Sequence, residues 1–177
     1  YAIIILLTEN CDSLLPTIRS RCVTLTMNPV EKDKICTYLE NKFQLEPEQA
    51  QIAANYCQGN IGKAIRFASS SDFIEMKNQV LKLLKNLDSM DIASIIDTIK
   101  EFSTHKNDIN DYLDLMLLWY RDVLMFKVTK DANLLLYSDE YSAISEQATK
   151  RDYENIENII AAIDKAKVRL KANVNFD

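Results

Sequence analysis

Apolar residues along the chain follow two different periods, and the change from one to the other divides it. Tyr1-Ala-Ile-Ile-Ile-Leu-Leu7 is a continuous apolar run ending at Thr8, the pattern of a strand buried on both faces of a parallel sheet. In Arg21–Met27, Val23, Leu25 and Met27 alternate with Cys22, Thr24 and Thr26, which predicts a second strand. Two strands cannot cover an all-apolar segment. The chain, which carries no initiator Met, is therefore expected to be the C-terminal remainder of a longer α/β protein. An unpaired edge at Ala2–Leu7 would also invite pairing with another copy.

From residue 28 onward the period is helical. Asn28-Pro29-Val30-Glu31 supplies an N-cap acceptor, a proline at the first helical position and a Glu at the third. Ile35, Tyr38, Leu39 and Phe43 continue that helix. Pro47 opens a second, with Ile52, Ala53 and Tyr56, which Gly59 ends; a third runs from about Ile61 to Ala68. Residues 29–70 thus form a small three-helix domain.

Ser69-Ser70-Ser71-Asp72 reads as a linker followed by a cap, and residues 72–177 as a further domain of about five helices packed as a bundle. Phe73, Met76, Val80, Leu83, Leu84 and Leu87 line one face; Ser89 can cap a helix with Ile92, Ile95, Ile96, Ile99 and Phe102. A long helix carries Ile109, Tyr112, Leu113, Met116, Leu117, Tyr120, Val123 and Leu124. After a break near Lys130–Asp139 come a shorter helix to about Thr149 and a last one with Tyr153, Ile156, Ile159, Ile160, Ile163 and Leu170.

Composition supports a mainly α chain: 47% of its 177 residues are hydrophobic and 27% charged, which argues against disorder, and 2 Gly with 3 Pro argue against a turn-rich β fold. The net charge of −5 lies entirely in residues 72–177, where 14 basic face 19 acidic side chains. Such a surface will not hold nucleic acid through phosphate contacts by itself. No apolar run approaches the roughly 20 residues of a membrane helix and no basic segment precedes Ile3–Leu7, so a cytoplasmic protein is expected. Cys11, Cys22, Cys36 and Cys57 form no CxxC pair, and the single His105 is far away, so reduced and mostly buried thiols are expected, with no metal. The glycine-rich, HExxH and Gly-x-Ser-x-Gly motifs are absent. Asp108/Asp111 and Asp139/Glu140 read as helix-start charges or solvated faces, and the chain alone is expected to catalyse nothing.

One segment carries chemistry. Leu14-Leu15-Pro16-Thr17-Ile18-Arg19-Ser20-Arg21-Cys22 resembles the Ser-Arg-Cys box of the sliding-clamp loaders, AAA+ proteins that include replication factor C and subunits of the bacterial DNA polymerase III loader. The order of parts is similar throughout: an apolar strand, a loop, the box, a short strand, a three-helix lid and a helical collar. Trp119-Tyr120-Arg121-Asp122-Val123-Leu124 and Leu170-Lys171-Ala172-Asn173-Val174-Asn175 look like collar segments of that family. The resemblance implies that residues 1–28 are the end of an ATPase-like domain, 29–70 the lid and 72–177 an oligomerising collar.

It further implies that Arg21 is an arginine finger reaching the γ-phosphate of ATP bound to a neighbouring subunit, a role suited to a planar, permanent cation. On the residues alone, a surface ion pair is the better account of Arg21, and it is the flanking motif that favours the finger. Arg19 reads as an interface or surface residue and Cys22 as core packing. Thr8 matches the sensor 1 position. At sensor 2, in Gly59-Asn60-Ile61-Gly62-Lys63-Ala64-Ile65, Gly62 stands where active members carry arginine; Lys63 and Arg66 are close, but one residue turns a helical side chain by about 100°.

Three functions fit. The first is a non-hydrolysing DNA-replication subunit that binds no cofactor itself, holds γ/τ and δ partners through its collar, and serves the sliding clamp and primer–template DNA through the complex. The second is a fragment of the ATP-hydrolysing γ/τ subunit, against which Gly62 speaks. The third is an unrelated helical adaptor.

Overall fold

The computed structural model describes residues 2–8, 10–69, 72–104 and 108–171, with the backbone alone at 101–104 and 171. Within them every regular element is helical, so the fold is mainly α. The α-helices are α1 (Pro16–Arg19), α2 (Lys32–Phe43), α3 (Pro47–Tyr56), α4 (Ile61–Ser69), α5 (Asp72–Asn86), α6 (Ile92–Thr104), α7 (Ile109–Thr129), α8 (Tyr141–Lys150) and α9 (Tyr153–Lys171). Short 3-10 turns lie at Cys11–Ser13, Leu87–Ser89, Ala132–Leu134 and Ser138–Glu140. Ser70, Ser71, His105 and the closing Ala172–Asn175 lie outside the described residues.

Neither segment expected as a strand joins a ladder among the described residues. Ile3 is 92% exposed and Val23 90%, so the apolar side chains of both lie open. A strand's backbone bonds are made to other strands. Here the chain between the two is taken up by the Cys11–Ser13 turn and α1, and the two segments do not pair.

The helical part begins later than the Asn28 cap predicts. α2 starts at Lys32, with the extended Glu31 before it. The cause lies in the turn after α3. Gly59 has φ 79°, its carbonyl accepts the Val30 N–H at 3.0 Å, and a Cβ built on it would come within 2.5 Å of Pro29 Cβ. Pro29 and Val30 are thereby laid against this turn and are not wound into α2. Gly59→Ala is expected to cost about 2–3 kcal/mol, from a left-handed backbone at a residue with a Cβ and from the collision with Pro29. Urea denaturation reads it; a loss below about 0.5 kcal/mol, the range of an indifferent surface change, would mean that Pro29 simply moves aside.

The three-helix unit packs on small residues. Ala50, Ala53, Ala54 and Ala64 are buried beside Ile35, Leu39 and Phe67, letting the helices approach closely. Pro47 opens α3 at its first turn as the sequence predicts, and the Asn60 side chain accepts the Lys63 N–H at 3.0 Å to cap α4.

In the bundle, α7 is the central element, contacting α5, α8 and α9. Its predicted stripe is only partly right. Ile109, Tyr112, Tyr120 and Val123 are buried, but Leu113, Met116, Leu117 and Leu124 only partly so. Leu115, Leu118, Trp119, Asp122 and Phe126 are buried as well, because neighbouring helices cover several sides of α7 and leave Asn110, Arg121 and Val128 exposed. On α5, Phe73, Met76, Val80 and Leu84 are buried, joined by Leu81. Ser89 does not cap α6: its hydroxyl donates to the Asn86 carbonyl at 2.8 Å, while Asp91 Oδ1 accepts the Ser94 N–H at 2.9 Å. The isoleucine face of α6 exists in the sequence but is not covered, with Ile92, Ile96 and Ile99 all exposed; the Phe102 side chain lies outside the described residues.

A single hydrophobic core runs through both units. Its spine is aromatic. Phe67 of α4 stacks on Phe73 of α5 at 4.1 Å, Phe73 meets Tyr56 of α3 at 5.7 Å, Tyr56 meets Tyr137 at 5.1 Å, and Tyr137 meets Trp119 of α7 at 5.5 Å. The polar ends of Tyr137 and Trp119 are satisfied inside. Tyr137 donates its hydroxyl to the Leu115 carbonyl at 3.0 Å, and Trp119 Nε1 donates to Gln147 Oε1 at 3.1 Å. Gln147 in turn donates to the Leu84 carbonyl at 2.8 Å.

Candidate functional site

Local backbone bonding sets the arginine segment. Pro16 occupies the first turn of α1, where its missing N–H costs nothing. The helix then closes through Ser20, whose hydroxyl donates to the Thr17 carbonyl at 3.2 Å. Arg21 and Cys22 continue the turn, their N–H groups donating to the Ile18 and Arg19 carbonyls at 3.0 and 3.2 Å. Upstream, Asn10 Oδ1 accepts the Asp12 N–H at 2.8 Å, and the Thr8 hydroxyl donates to the Asn10 carbonyl at 2.8 Å. Thr8 is thus occupied in its own turn.

The two arginines have different surroundings. Arg19 forms an exposed ion pair with Asp12 at 2.6 Å, as expected of a surface residue. Arg21 has no ion-pair partner among the described residues, and with Ile4, Leu6, Thr17, Ile18 and Cys22 it lines an open cleft of about 420 Å³. A permanently charged guanidinium on an apolar rim, unshared within its own chain, is suited to an anion brought from outside. Cys22 is exposed, contrary to the expectation of core packing, because the segment that follows it has no sheet to pack into. Only Cys36 and Cys57 are fully buried, and burial pushes both thiols up. Among the described residues no group of three His, Cys, Asp or Glu side chains could hold a metal ion, and no helix is long and apolar enough to cross a membrane.

Gly62 lies in the first turn of α4 and does not line the Arg21 cleft. The cations after it turn elsewhere. Lys63 pairs with Asp111 of α7 at 3.1 Å and with Asp114, and Arg66 pairs with Asp111. Lys167 of α9 reaches Asp114 at 2.5 Å. Asp111 is therefore not a solvated helix-start charge: its side chain is 5% exposed. Burial works against charge on Asp114, but hydrogen bonds from Lys167 and Lys63 outweigh it and hold the carboxyl below the usual carboxylate range. Burial likewise opposes charge on Lys63, and Asp114 and Asp111 override it, raising the ammonium above the ordinary lysine value. The sequence did contain a signal for this cluster, since Asp111 and Asp114 fall at a three-residue spacing among Ile109, Tyr112 and Leu115. Asp139 remains exposed, whereas Glu140 pairs with Lys85 at 2.5 Å.

Comparison with known proteins shows a relation along nearly the whole chain. The chain is 32% identical over 174 residues, 97% of its length, to DNA polymerase III subunit delta' of Bacillus subtilis (strain 168). It is a homologue of that subunit. It spans 52% of the length of this delta' relative, about half. No family model matches the chain, and no solved structure matches it. The homology to delta' agrees with the resemblance carried by the Leu14–Cys22 segment, and it covers the arginine turn, the three-helix unit and the bundle together.

Proposed function

We propose that this chain is the C-terminal part of a non-hydrolysing clamp-loader subunit of the delta' kind. The observation that carries the proposal is the 32% identity to delta' across 97% of the chain. In this reading residues 72–177 are the oligomerising collar, joining γ/τ and δ subunits, and residues 29–70 are the lid. Arg21 is the finger for ATP bound by a neighbour, and its unshared guanidinium supports that role. The open apolar side chains of Ile3–Leu7 and Val23–Met27 support a remnant of an AAA+ sheet whose other strands come from the rest of the protein. The sliding clamp and primer–template DNA are engaged through the complex, since the net acidic bundle offers phosphates no field of its own.

A nucleotide-binding γ/τ-type subunit is the poorer reading. Gly62 brings no side chain to a phosphate, and Lys63 and Arg66 are engaged with Asp111 and Asp114.

Light scattering after size exclusion tests the proposal. The protein is run alone and then mixed with the γ/τ and δ subunits of the same organism. Entry into one stoichiometric complex is the expected result. A homo-oligomer that takes up neither partner would overturn the clamp-loader reading.

A further inference from the structure

Beside a cation–π contact of Lys77 with the Tyr56 ring at 5.1 Å, two sets of contacts join α2–α4 to α5–α9, and they constrain the junction differently. The aromatic spine is apolar, and its rings meet at mixed angles: 18° between Phe67 and Phe73, 58° between Tyr56 and Phe73, and 61° between Tyr56 and Tyr137. Apolar burial rewards closeness with little regard for direction, so a spine of this kind keeps the units together while tolerating rotation about it. Ion pairs within hydrogen-bond reach are directional, and they lose their strength when the partners move apart by a few ångströms.

The ionic contact lies beside the α4 end of the spine, where the Arg66 guanidinium also stands 5.8 Å from the Phe67 ring centroid. Lys63 and Arg66, one turn apart on α4, converge on Asp111 and Asp114, one turn apart on α7, and Lys167 of α9 holds Asp114 from a third element. The carboxylates are well shielded, Asp111 being 5% and Asp114 17% exposed, so salt screens these pairs far less than a surface pair. Five groups from three helices fix one another's positions. Removing the cations would leave two adjacent carboxylates facing each other without compensation.

We propose that Asp111 and Asp114 are an orientation latch: closed on Lys63 and Arg66, they make the three-helix unit and the bundle move as one body, with the aromatic spine as the pivot beneath. With the latch neutralised, the units stay joined but swing. The latch also keeps the two cations that follow Gly62 turned toward the bundle, whatever lies on the other side of α4. It rests on the contacts within this chain alone and stands or falls independently of the clamp-loader reading.

The test is a distance distribution between the units. Nitroxides are attached to a keto amino acid introduced at the exposed positions Thr37 on α2 and Ser142 on α8 of the full-length protein, and read by pulsed electron resonance. The unaltered protein is expected to give one narrow distribution. Asp111→Asn with Asp114→Asn, and separately Lys63→Met with Arg66→Met, are expected to widen it about twofold or more while melting stays cooperative. Lys85→Met, which removes the Lys85–Glu140 pair inside the bundle, is expected to leave it unchanged. Where the aspartate pair does not fold, the methionine pair is read, because its stems preserve the apolar packing; Asp114→Asn alone serves in place of either. A narrow distribution in the latch variants, or a broad one in the unaltered protein, overturns the proposal.

Discussion

Replacing Arg21 with alanine in the full-length protein is expected to leave the loader assembled and to slow ATP hydrolysis at the neighbouring site by about 10³-fold or more. The expectation follows from the proposed role and from the local structure. The Arg21 side chain has no ion-pair partner among the described residues, so its removal releases no buried charge within this chain. The turn that presents it is closed by backbone bonds to Ile18 and Arg19, which alanine retains. The loss should therefore appear in the chemical step and not in stability. Arg21→Lys keeps the charge but gives up the planar fork, and should fall between the two. The readout is single-turnover hydrolysis in the assembled complex with clamp and primed DNA. Undiminished hydrolysis at that site would return Arg21 to the rank of an ordinary surface cation.

The second large effect is expected at Trp119, where alanine should destabilise the chain by about 3–5 kcal/mol. The residue is fully buried at the middle of α7, its ring packs against Tyr137, and its N–H meets Gln147. Truncation opens a cavity at the end of the aromatic spine and leaves Gln147 Oε1 without its donor. Trp119→Phe separates the two causes: it keeps most of the ring and removes the N–H, and should cost about 1–3 kcal/mol. Guanidinium denaturation followed by circular dichroism measures both. Equal losses in the two variants would place the whole effect in the hydrogen bond, and a negligible loss in alanine would mean that the core closes over the gap.

Much of this architecture was legible along the chain, because most helices bury one stripe. Phe73, Met76, Val80 and Leu84 follow from spacing, as does the proline that opens α3, whereas α3 stops at Tyr56, ahead of the Gly59 expected to end it. Where a cap was misplaced, another residue drew the chain aside or took the cap itself. Asn28 is a sound cap by local chemistry, but Gly59 draws Pro29 and Val30 out of the helix. Ser89 is a sound cap too, and Asp91 displaces it. Period alone cannot say how many sides of a helix are covered: α7 buries more than its one expected stripe, while the isoleucine face of α6, a cleaner stripe, lies open. Of the candidate site, the Leu14–Cys22 segment stood out as a motif, while the use of Lys63 and Arg66 did not. Their partners lie more than forty residues downstream, at a spacing that only the packed fold brings within reach.

The aromatic spine has an optical consequence. Trp119 is the single tryptophan of the chain, sealed in apolar surroundings with its indole N–H donated to a side-chain carbonyl. Intrinsic emission excited at long wavelength therefore reports on one place, the centre of the bundle, without any label. Tyr137 and, beyond it, Tyr56 of the three-helix unit stand within a few ångströms in series, so light absorbed by these phenols is passed to the indole. The protein carries a built-in donor–acceptor relay across its own internal junction.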